Sequence, residues 1–240
     1  EDEEYIIAKE YYLKSRAYAL EKKDSALLAK CISNIAVTHK KEHNFYAAIE
    51  LHRQAIVIEK LLHDKWGLSS SYQNLAINYK YLKQYEKALE YLALNHAIKN
   101  EMKDTKGIAN CLATISDIQI HMKRYPEAKR NLDEAYGLLK RIQVKDTHVL
   151  SRYAEYYEAI GDYKSALRWK EKNHSLKDSL FNEKKSKQLA ELQTLYELSK
   201  KEKEIAQLEK ENEEQRFAKN VTIIFIVFVS ALIILLFYVW

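Results

Sequence analysis

Sliding the sequence against itself by 40 residues aligns Tyr5, Phe45, Tyr85 and Tyr125, and three positions later Ala8, Ala48, Ala88 and Ala128. A period of this length marks stacked supersecondary units, none of which buries its apolar face alone. Small residues recur in the same rhythm at Ala36, Ala76 and Ser116, each behind a large aliphatic: Ile35, Leu75 and Ile115. The next unit is shortened to 38 residues and places Ala154, Tyr163 and Ala166 in the corresponding slots. With only 4 Gly and 1 Pro in 240 residues, the chain lacks the breakers that loops and turns of other fold classes need, so the units are expected to be helical. Charged residues at 30% and apolar ones at 47% suit amphipathic helices around a shared core, not a disordered tail.

The unit boundaries follow from the turn chemistry. Asp24-Ser25, Asp64 to Gly67, Asp104 to Gly107 and Asp146-Thr147 read as caps or turns before each first helix. Pro126 opens a second helix, where its missing N–H costs little. The expected organisation is the second helix of a truncated unit over 1–23, full units over 24–63, 64–103 and 104–143, and a shorter one over 144–180. Residues 1–23 match only half a unit, so the native protein is expected to extend further toward its N-terminus.

These residues resemble the tetratricopeptide (TPR) family, whose pattern sets a small residue on helix A, an alanine on helix B and an aromatic at the turn between them. The resemblance covers about residues 1 to 180 and implies an all-α helical-hairpin solenoid. The small residues allow helices A and B to cross closely while larger ones fill the gaps. The family's usual partner site, the concave groove lined by helix A, would here contain Lys30, Asn34 and Lys41, then Gln73, Asn74, Lys80 and Tyr81, then Asn110, Thr114 and Asp117, and finally Arg152, Glu155 and Glu158. That groove runs from basic and amide-rich toward mixed and acidic, and the resemblance implies a protein or peptide segment as its occupant. Asn34, Asn74 and Arg152 are similar to the clamp with which some TPR domains grip a C-terminal carboxylate, a task suited to amide and guanidinium donors; Thr114 interrupts the set.

Beyond the repeats, residues 181–220 carry alternating Lys and Glu, and no Gly or Pro follows Gly161, so one long linker helix is expected. Leu189, Leu192 and Tyr196, and separately Ile205 and Leu208, fit a coiled-coil spacing, but no single heptad register joins the two groups. A short homodimeric coiled coil and a solvated single helix steadied by pairs such as Glu197 with Lys201 both remain open. Val221 to Trp240 holds 20 residues without a charge, enough at about 1.5 Å per residue to cross about 30 Å of hydrocarbon, so a transmembrane helix and contact with a lipid bilayer are expected. Arg216 and Lys219 would mark the near headgroup layer, Tyr238 and Trp240 the far one.

The chemistry of catalysis is missing from the pattern. No glycine-rich phosphate loop, HExxH, CxxC or nucleophile elbow occurs, so no catalytic residue, metal or cofactor is expected. His39 and His43 stand four apart but lack a third ligand. Cys31 and Cys111 lie two units apart, too far for a disulfide, and read as small buried apolar residues. The net charge of +5 is spread among alternating signs, without the basic, aromatic-rich patch of a nucleic-acid surface.

The stretch from His174 through the linker into the apolar run also resembles a group of bacterial signalling proteins, in which periplasmic TPR repeats join through one span to a cytoplasmic histidine kinase or a LuxR-type DNA-binding domain. That resemblance implies the sensor region of a single-pass inner-membrane protein whose output domain lies outside this sequence. A tail-anchored scaffold that recruits partners from the cytoplasmic side is the alternative reading.

Overall fold

The computed structural model describes the backbone of residues 2–239, and the side chains other than those of 1–6, 214, 215, 218, 225, 227, 228 and 231–240. All of the described elements are helices: α1 (Asp2–Glu21), α2 (Ser25–Lys41), α3 (Phe45–Leu61), α4 (Lys65–Tyr81), α5 (Tyr85–Glu101), α6 (Thr105–His121), α7 (Tyr125–Arg141), α8 (Thr147–Ala159) and α9 (Tyr163–Val239). They form two units, residues 1–177 and 178–240.

In the first unit, α2, α4, α6 and α8 are the A helices of successive hairpins, and α1, α3, α5, α7 and the start of α9 the B helices. Asp24, Asp64 and Asp104 each accept a bond from the amide three residues on, at Leu27, Gly67 and Gly107. Asp146 accepts from His148 N. Each carboxylate satisfies one of the N–H groups that a helix start leaves without a partner. Ala48, Ala88 and Ala128 on the B helices and Ala36, Ala76 and Ser116 on the A helices are fully buried, as close crossings require. The aromatic that opens a B helix lies against the end of the next A helix: Phe45 stacks on Tyr81 at 5.0 Å, and Tyr85 meets His121 at 6.0 Å. Cys31 and Cys111 are free and buried, and burial pushes the Cys111 thiol up to about 12.

Most inter-helix turns share one geometry. Lys23, His43, His63, Lys83, Lys103, Lys123 and Gln143 all adopt a left-handed backbone with φ between 53° and 59°. The amide that follows reaches back five residues, for example Gln84 N to Tyr79 O at 2.9 Å, which closes the helix end. Among the described residues only Gly161, at φ 81°, uses the residue that this conformation favours. His43 therefore sits in a turn, outside α2, and packs edge-on against Phe45 at 5.9 Å.

In the second unit the helix backbone continues to Val239, and every side chain from Asp178 to Glu213 is exposed, including Leu189, Leu192, Tyr196, Ile205 and Leu208. Among the described residues no helix is long and apolar enough to cross a membrane. The span expected over Val221 to Trp240 lies largely outside the described side chains.

Candidate partner-binding groove

Along the A helices, side chains of neighbouring hairpins meet directly. Ser33 Oγ on α2 and Ser71 Oγ on α4 are 3.2 Å apart. Lys80 Nζ on α4 donates to Asp117 Oδ2 on α6 at 2.8 Å. Arg152 Nη1 on α8 lies 3.1 Å from the other oxygen of the same carboxylate. Asp117 is only 3% exposed, and this pairing with two cations from the flanking helices offsets the cost of burying its charge. His121, one turn further along α6, sets Nδ1 2.8 Å from the Asp117 carbonyl oxygen. Arg152 also pairs with Glu155, which accepts a bond from the Ser151 hydroxyl. Burial, reinforced by the Arg152 charge, holds the adjacent His148 imidazole below its ordinary value and so favours its neutral form.

The sequence-selected residues fall into two sets. Lys30, Lys41 and Tyr81 are exposed, Tyr81 while stacked on Phe45, and Asn34, Gln73 and Asn74 are half-buried. The second set is engaged within the protein. Thr114 is buried and donates its hydroxyl to the Asn110 carbonyl at 2.9 Å, so it presents no donor where the clamp pattern needs one. Asp117 is buried between Lys80 and Arg152, and Glu158 pairs with Lys170. Asn110 keeps a buried side-chain oxygen without a partner. The expected grading from basic to acidic thus becomes an open amide and lysine surface on α2 and α4 beside a self-neutralised network on α6 and α8.

Sequence reasoning passed over the groups beneath that open surface. A cleft of about 570 Å³ runs between the starts of α2 and α4, lined by Lys30, Ser33, Asn34, Asp64 and Glu59. Glu59 is 3% exposed and accepts from Ser71 Oγ at 2.9 Å; burial, with help from the Asp64 charge, raises it to about 7. His52 on the same B helix is fully buried with neither ring nitrogen bonded, and burial lowers it to about 4. Comparing positions 40 apart would have found both, because the counterparts are Lys99 and Leu92. Among the described residues no His, Cys, Asp and Glu cluster is arranged to hold a metal ion.

The chain is similar over 74% of its length to BtubC (BKLC) from P. vanneervenii, with a TM-score of 0.61, 16% identity and 74% of that chain covered. It is similar to a point variant of the nearly identical TPR-like repeats of a putative kinesin light chain from Podosopora anserina, with a TM-score of 0.57, 16% identity, 74% of this chain and 89% of that one. A Rap protein complexed with Competence and Sporulation Factor matches with a TM-score of 0.59 at 13% identity, over 75% of this chain and 61% of its own. The fold of residues 1–177 is that of a TPR-like repeat protein. The family model for EssA of the WXG100 protein secretion system (Wss) matches residues 159–240. No curated protein matches the chain.

Proposed function

We propose that the repeats hold a protein or peptide segment on the A-helix face, and that Val221 to Trp240 anchors the chain in a membrane as the input region of a single-pass signalling protein. The observation that carries the first part is the locked A-helix face: Lys80, Asp117 and Arg152 fix α4, α6 and α8 to one another, the Ser33–Ser71 contact ties α2 to α4, and together they present Lys30, Asn34, Gln73 and Asn74 from a preorganised surface. A Rap protein of similar fold is complexed with Competence and Sporulation Factor, which supports occupancy of such a scaffold. Support for the second part is the uncharged run of 20 residues and a helix free of Gly and Pro from Tyr163 onward. In this reading the chain lies in a bacterial inner membrane with its repeats outside the cytoplasm, and a histidine kinase or DNA-binding regulator follows it. The exposed Leu189, Leu192 and Tyr196 offer a seam for a second copy.

A second reading is a membrane component of a secretion assembly, favoured by the match of residues 159–240 to the EssA family model. A charged helix that enters an apolar run is a sparse pattern, which is why the repeats outweigh it here. Topology tests the sensor reading most simply. With reporters fused after Asp178 and after Trp240, the sensor reading expects the first outside the cytoplasm and the second inside. Repeats found inside would overturn it in favour of an anchored scaffold, and a chain that leaves the membrane fraction in carbonate would remove the anchor altogether.

A further inference from the structure

The fourth hairpin differs from the others at the start of its A helix. Helices α2, α4 and α6 have 17 residues each and begin directly after an aspartate whose amide bonds back to Ala19, Glu59 or Lys99. Val144 makes the same backbone bond to Leu139 O at 3.0 Å, so the chain turns at the same place. Valine has no acceptor to cap a helix, however, and α8 starts only at Thr147 and runs for 13 residues. Lys145 and the extended Asp146, at φ −137° and ψ 122°, replace the first turn that Thr105 to Ile108 form in α6. In the other repeats that turn carries Leu68 or Ile108 into the core. Its loss leaves a cleft of about 330 Å³, floored by Leu139, Val144, Leu150 and Leu176.

Three lysines line the same cleft. Lys172 donates to the Tyr136 hydroxyl at 2.6 Å and lies 4.7 Å from the Trp169 ring centroid, which fixes its ammonium group at the rim. Lys140 and Lys145 also line the cleft, are exposed, and pair with no acid among the described residues. The one acid lining the cleft among the described residues, Asp146, is engaged in capping α8 at His148 N. We propose that this cleft binds a small organic acid, its branched or aromatic body on the aliphatic floor and its carboxylate among Lys140, Lys145 and Lys172. The size and the mostly apolar lining with a few polar groups are those of a small-molecule site, and lysine ammonium groups supply charge-assisted hydrogen bonds to a carboxylate. None of the lining residues belongs to the partner groove, so the site stands whether or not that groove is used.

The test uses the full chain in lipid nanodiscs and two probes of similar shape, indole-3-acetate and tryptamine, with binding followed by saturation-transfer NMR. Indole-3-acetate is expected to bind more tightly than tryptamine. The double substitution Lys140→Glu/Lys145→Glu and the cleft-filling Val144→Trp should each weaken indole-3-acetate at least tenfold, with helix content by circular dichroism unchanged. Should Val144→Trp fail to fold, Leu139→Phe replaces it. The proposal is overturned if indole-3-acetate does not bind, if tryptamine binds as well, or if either the charge reversal or the filled cleft leaves its affinity intact.

Discussion

Glu59 and Lys99 occupy the same place in successive repeats, near the end of a B helix beside the aspartate that caps the next A helix, and they carry opposite charges. Lys99 donates to Asp104 Oδ2 at 2.8 Å. Burial alone would raise the Asp104 carboxyl, but the Lys99 bond and the Gly107 amide outweigh it and hold the group below its usual range. Glu59 faces Asp64, acid against acid, and sits at about 7. The backbone is indifferent to this exchange. A Cβ at Gly67 would fall 2.5 Å from an Asp64 oxygen, and one at Gly107 2.2 Å from an Asp104 oxygen, so a side chain at either glycine would have to shift the capping carboxylate, while Leu27 takes the same position beneath Asp24. The repeat therefore fixes the turn, while the charge beneath it is free to set how each hairpin responds to pH.

The largest effect should come from moving the first full repeat's other oddity into the second. His52, Leu92 and Leu132 share one B-helix position and are all fully buried. Leu92→His should cost about 3–5 kcal/mol in chemical denaturation, from lost packing plus an unpaired polar ring. The reverse change, His52→Leu, should remove an acid sensitivity. Its imidazole is held at about 4 in the folded protein against 6.5 unfolded, so its share of stability is complete above 6.5 and drains as pH falls toward 4. The loss is about 3 kcal/mol, and melting temperatures from pH 7 to pH 4 should fall less steeply in the variant.

Smaller effects test the junction charge. Glu59 is raised by folding, so its unfavourable share grows as pH climbs from 4.5 through 7. Glu59→Gln should stabilise by about 1–2 kcal/mol at pH 8 and have little effect at pH 4. Lys99→Glu should do the opposite, removing the Asp104 pair and costing about 1–3 kcal/mol at pH 8 with partial recovery in acid. The smallest change is in the turns: Lys123→Gly relieves a left-handed non-glycine residue and should raise stability by at most about 1 kcal/mol, visible as a higher melting temperature.

Much of this architecture is legible in the sequence because repetition amplifies it. Ala48, Ala88 and Ala128 are buried at equivalent crossings, and Asp24, Asp64 and Asp104 cap equivalent helices. What repetition conceals is the exception. The shortened fourth unit is visible as a count of 38, but that its missing residues belong to the first turn of α8 follows only from where Val144 and Asp146 stand. The A-helix residues are nameable by register, yet Lys80, Asp117 and Arg152 are 37 and 35 positions apart, and pairing across helices leaves no local trace. The left-handed turns are equally silent, since lysine and histidine stand where glycine would announce them.

The claim that the A-helix face holds the partner can be tested by placing a photo-crosslinking residue, in cells, at Lys30 and Asn74 on that face and at Val57 and Leu94 on exposed B-helix positions. The account predicts a discrete protein or peptide adduct from Lys30 and Asn74 and none from Val57 and Leu94. Adducts confined to the B-helix positions, or equal at all four, would contradict it.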